Sequence, residues 1–89
     1  LFEALEFVDL KDRPGAPVKQ NPLGTFSDED SAVDAARSAQ KAFMESGRED
    51  YAWWIVRQPG ARLARWIADN HTGKEYVLDL TSGELVEVE

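Results

Sequence analysis

Residues 51–69 read Tyr51-Ala52-Trp53-Trp54-Ile55-Val56-Arg57-Gln58-Pro59-Gly60-Ala61-Arg62-Leu63-Ala64-Arg65-Trp66-Ile67-Ala68-Asp69. Two runs with aromatic and β-branched side chains flank Pro59-Gly60, a dipeptide that breaks regular structure and turns the chain. The runs 51–58 and 61–69 are therefore expected to pair as an antiparallel hairpin. L-proline does not suit the primed two-residue turns, so a slightly longer connection is expected. Beyond it, Asn70-His71-Thr72-Gly73 reads as a second turn, Asn and His tolerating positive φ. Thr81-Ser82-Gly83 has the pattern of a type I turn closed by a glycine bulge. With strands at 74–80 and 84–88, residues 51–89 read as a four-stranded meander.

Upstream, Ser27-Asp28-Glu29-Asp30 opens a helix. The Ser27 hydroxyl is placed to accept from the Asp30 amide, and an acidic first turn complements the helix dipole. Ala32, Val33, Ala36, Ala39, Gln40 and Phe43 recur at helical spacing, and Gly47 supplies a left-handed stop, so the helix is expected over 27–46. Its apolar stripe is mostly alanine, so its backbone must lie close to large side chains supplied from elsewhere. Residues 1–10 read as a strand whose buried face is ambiguous, since Phe7 and Val8 are adjacent. Its neighbour is open too, and a crossover through the helix would allow parallel pairing beside 51–58. Residues 11–25 carry Pro14, Gly15, Pro17, Pro22 and Gly24 and are expected to be an irregular loop. The resulting fold class is α+β, a single domain with order β-α-β-β-β-β, one helix across one face of an antiparallel sheet.

Pairing Gln58 with Ala61, Ala68 with Glu75 and Leu80 with Glu84 sorts the meander onto two faces. Trp54, Val56, Leu63, Ile67, Tyr76, Leu78, Leu80, Val86 and Val88 are expected beneath the helix, with Arg65 beside Trp54. The opposite face is expected to carry Tyr51, Trp53, Ile55, Ala64, Trp66, Ala68 and Val77, grading into Glu75, Asp79, Glu87 and Glu89. Trp53 would stand opposite Trp66. Three aromatic side chains of roughly 150–250 Å² each reach the largest apolar patch most monomers leave exposed. Burying about 400 Å² is worth on the order of 10 kcal/mol gross, comparable with the net stability of a small domain. Something must cover this face, either the N-terminal arm or a second molecule.

The chain has 89 residues, no cysteine, one histidine and a formal net charge of −7. That length holds one core. No apolar run is long enough to cross a bilayer and no secretory leader is visible, although the chain opens on Leu1, not Met. Without cysteine there is neither a disulfide framework nor a thiolate metal site, which fits a cytoplasmic setting. The negative charge opposes nucleic acid and anionic membranes. Arg57, Arg62 and Arg65 among tryptophans superficially suit single-stranded nucleic acid, but alternation splits them between faces. Glu75, Asp79, Glu87 and Glu89 lack metal-binding spacing and are better read as a charged sheet edge. His71 has no nucleophile motif beside it, and no Walker loop or dinucleotide fingerprint occurs. No enzyme, cofactor or metal is expected. The expected function is a non-catalytic protein-binding or assembly module, homodimeric through the aromatic face or an open edge. Its binding residues would be Tyr51, Trp53 and Trp66, with Arg57 and Arg62 at the rim. The alternatives are an acidic, antitoxin-like inhibitor of a basic partner and a small-molecule pocket between the 11–25 segment and the sheet.

Overall fold

The computed structural model describes residues 1–88. Six strands form one sheet: β1 (Phe2–Asp9), β2 (Lys19–Phe26), β3 (Tyr51–Arg57), β4 (Trp66–Asp69), β5 (Glu75–Leu78) and β6 (Leu85–Glu87). Helix α1 (Glu29–Glu45) separates β2 from β3. The spatial order is β2-β1-β3-β4-β5-β6, and every neighbouring pair is antiparallel. The fold class is α+β, as the residue pattern indicates. The chain order, β-β-α-β-β-β-β, contains one more strand than the pattern suggests.

The added strand is β2, all of which but Phe26 falls in the 11–25 segment expected to be irregular. Pro22 and Gly24 are tolerated because β2 is an edge strand, where a missing donor need not interrupt a two-sided ladder. The register shifts at this point, Ala4 facing Gly24 and Leu5 facing Pro22, so Leu23 is the extra residue of a bulge. Only 11–18 remain without helix or strand, turned by bonds from Arg13 N to Leu10 O and from Ala16 N to Arg13 O. The hairpin places β1 between β2 and β3, and β1 runs antiparallel to β3, with Leu5 facing Ile55 and Phe7 facing Trp53. Helix α1 carries the chain from β2 to β3 across β1.

The helix begins one residue later than Ser27 suggests. Asp28 is the N-cap, its carboxylate accepting from the Ser31 amide and the Ser31 hydroxyl, each at 2.9 Å. A carboxylate satisfies two donors at once and adds negative charge at the positive end of the dipole, which one hydroxyl cannot do. Gly47, at φ +72°, ends the helix as its composition implies. Ala32, Ala36, Gln40 and Phe43 are the buried residues of the helix. The bulk comes from the sheet: Trp54, Trp66, Val8 and Val56 are the largest fully buried side chains. Phe43 meets Trp54 edge-on with centroids 5.5 Å apart. The alanine stripe thus lies over tryptophan, large against small, which is how facing layers interdigitate.

Across β3 and β4 the observed register differs from the expected one by three residues. Val56, not Trp53, faces Trp66, and Trp54 faces Ala68. An odd displacement turns every side chain of the second strand to the opposite face. Trp66 is therefore buried beneath the helix at 1% exposure instead of lying beside Trp53. The cause is the connection: β4 starts only at Trp66, and residues 58–65 form a loop closed by Ala61 N to Gln58 O and Arg65 N to Val56 O. Leu63 and Leu80, expected under the helix, are 58% and 69% exposed. Ile67, Tyr76 and Leu78 move to the face away from the helix, and Ala68, Glu75 and Val77 move to the helix side. Arg65 does not reach Trp54; its Nε donates to Glu29 at 3.2 Å and its guanidinium lies 5.9 Å from the Phe2 ring.

Ala68 faces Glu75 as expected, whereas β5 and β6 slip by one residue, Leu78 facing Leu85. In the second turn the positive φ belongs to Gly73 at +71°, and neither Asn70 nor His71 adopts it. The third turn follows its composition: Gly83, at φ +74°, donates to Asp79 O, and the Asp79 carboxylate accepts from Thr81 N. Glu89, in the expected acidic edge, lies outside the described residues. No described helix is long and apolar enough to cross a membrane.

Candidate functional site: the open face of the sheet

The helix packs on β1, β2, β3 and β4 from one side only. Alternation therefore sends a second set of side chains to the face without a helix: Leu5 and Phe7 from β1, Tyr51, Trp53, Ile55 and Arg57 from β3, Ile67 and Asp69 from β4, and Tyr76 and Leu78 from β5. Phe7 and Trp53, direct register partners, stack with ring planes 9° apart and centroids at 5.4 Å. Tyr51 adds a third ring at 5.4 Å from Trp53, tilted by 43°. A groove of about 380 Å³ opens beside them, lined by Tyr51, Trp53, Ile67, Ala68, Asp69 and Tyr76.

The three tryptophans are treated differently. Trp54 Nε1 donates to Glu6 at 2.8 Å and Trp66 Nε1 donates to Glu75 at 2.9 Å, so both buried indoles are satisfied. Trp53 Nε1 has no hydrogen-bond acceptor among the described residues. Tyr51 is 45% exposed and Trp53 is half-buried. Of the expected binding residues, the structure places Tyr51, Trp53 and Arg57 together on the open face. Trp66 is removed to the core. Arg62 sits exposed in the β3–β4 loop, outside the sheet.

Charge is arranged at the two ends of β3. At one end Arg57 Nε donates to Glu3 at 2.6 Å, leaving both Nη groups without hydrogen-bond partners among the described residues. At the other end Asp69 stands directly opposite Trp53. Burial pushes the Asp69 carboxyl up, but donation from the Thr72 amide and hydroxyl, with the Gly73 and His71 amides, outweighs it and holds the group below its ordinary value. It therefore remains an anion. Lys74, just before β5, is engaged by Glu87 at 3.3 Å.

Phe7, Ile67, Tyr76 and Asp69 belong to this face although composition did not single them out. Phe7 was hidden by its apolar neighbour Val8, and the other three by the β3–β4 register. The small residues Ala52 and Ala68 are the sequence signal for which side the helix approaches, because both sit beneath it with Trp54. Glu75, expected to join an acidic edge, instead faces the helix and accepts from Arg37 and Trp66. No group of three or more metal-ligating side chains occurs among the described residues. No protein-family model, curated protein or solved structure matches the chain.

Proposed function

We propose that this chain is a non-catalytic assembly module that packs the open face of its sheet against a second copy of itself. The observation that carries this reading is the stacked Phe7–Trp53–Tyr51 cluster, which continues into Ile55, Ile67 and Tyr76 on the face turned away from the helix. Such a face resembles one inner surface of a β-sandwich. Six strands at ~4.8 Å spacing give it a width of roughly 24 Å, enough for an interface of about 800 Å² per partner. Trp and Tyr are the usual anchors of such interfaces, and Arg57 with Glu3 supplies a polar rim.

Light scattering across a micromolar concentration range tests the reading. A mass of two chains, returning to one in a Trp53→Ser variant that keeps its circular dichroism, is the expected result. A single-chain mass at every concentration overturns it.

A further inference from the structure

Granting that this face is a self-association surface, its residues also select the symmetry. Pro22, Leu5, Ile55, Ile67, Tyr76 and Glu87 are successive register partners and form one row across all six strands. Arg57 and Trp53 lie two residues to either side of Ile55 on the same strand and face, about 13 Å apart. We infer that the dimer two-fold axis runs along this row, so that Arg57 of each copy lies over Trp53, beside Asp69, of the other.

Face-to-face packing of identical sheets requires a two-fold axis lying between them, and the charges separate the main choices. An axis along β3 would set Arg57 against Arg57. An axis along the row exchanges the two ends of β3 and brings a guanidinium with two unused Nη groups over an indole face next to an anion. This is a cation–π contact with a charge partner at one strand spacing. Glu3 then faces Phe7 of the second copy, so no carboxylate meets another there. On the axis, Ile55, Ile67 and Tyr76 each meet their own counterparts, while Leu5 is already buried by its own chain. Glu87 also meets its counterpart, at the solvent-exposed end, where Lys74 balances it. The row supplies apolar contact, and the Arg57–Trp53 pairs, formed twice, set the direction.

The absence of cysteine makes the test clean. An Ile55→Cys variant, carrying its one thiol on the axis, is treated with a short bismaleimide matched to the ~10 Å spacing of packed sheets. It should cross-link to itself at least tenfold faster than a Lys41→Cys control on the exposed side of the helix. Arg57→Cys mixed with Trp53→Cys should link across copies, and each alone should not. Arg57→Gln should weaken dimerisation at least tenfold while lowering the circular-dichroism melting temperature at low concentration by no more than the few degrees that loss of the Arg57–Glu3 pair accounts for. If the protein dimerises but Arg57→Cys links to itself as fast as Ile55→Cys, or Ile55→Cys links no faster than the control, the axis is wrong and self-association stands. A single-chain mass throughout removes self-association and the axis with it.

Discussion

The indole N–H of Trp66 donates to Oε1 of Glu75 at 2.9 Å, the same oxygen that receives Nε and Nη2 of Arg37. One carboxylate thus ties β4, β5 and the helix together, and it satisfies the one polar atom of a tryptophan otherwise sealed in the core. Glu75→Ala should cost about 1–3 kcal/mol, mainly because the indole donor loses its acceptor. The Arg37 pair, half exposed, adds little of that. Glu75→Gln keeps an acceptor and should cost less. Urea midpoints with unchanged slopes measure both, and equal midpoints for the wild type and Glu75→Ala would refute the assignment.

Stability should fall on the acid side. Burial raises the Glu75 carboxyl, but the donors from Arg37 and Trp66 outweigh it, and Asp69 is lowered in the same way by Thr72. A carboxylate held below its unfolded value stabilises the fold above that value and loses the contribution as pH falls through the folded one. The ordinary values are 4.5 for Glu75 and 3.8 for Asp69. The denaturation midpoint, measured at fixed protein concentration, should therefore change little between about pH 7 and 5 and drop progressively below about pH 4.5. A midpoint that rises over that acid range would contradict the two contacts.

Adjacent tryptophans should behave as opposites. Trp54 is fully buried under the helix, so Trp54→Ala should cost about 3–5 kcal/mol. Trp53→Ser should cost the isolated subunit less, about 1–3 kcal/mol, since the ring stacks on Phe7 and meets Tyr51 but is only half-buried. Its effect should fall on association, removing the concentration dependence of thermal unfolding that a dimer imposes. Thermal melts at two concentrations a hundredfold apart, on the order of 1 and 100 µM, separate these outcomes.

The helix should reject bulk on its buried stripe. Ala36 is wholly inaccessible and lies in the layer formed with Trp54 and Trp66. Ala36→Leu should destabilise by about 1–3 kcal/mol through overpacking, while Ala42→Leu on the exposed side should be nearly neutral. Chemical denaturation of the two variants checks the contrast.

The helix, its glycine stop, the β3 strand and the third turn were legible because each rests on local chemistry: spacing of small apolar residues, a positive-φ glycine, alternation around Trp54. Strand β2 was not. Proline and glycine argue against a strand wherever both sides must be paired, and only its edge position makes them acceptable. Tyr51, Trp53 and Arg57 share a face because they lie an even number of residues apart on one strand, which alternation alone establishes. Trp66 was misplaced because its face depends on how much chain the β3–β4 loop consumes, and nothing local sets that length.

What the sequence by itself determined is an α+β chain whose thin, alanine-lined helix needs large strand side chains beneath it, with apolar strand surface left over. Periodicity and composition act within a few residues, so they suffice for this. Only the tertiary structure decided which tryptophans the helix claims. Pairing register is a long-range choice, settled by which arrangement buries Trp54 and Trp66 with Glu6 and Glu75 accepting their N–H groups. That choice leaves Trp53, stacked on Phe7, on the uncovered side of the sheet.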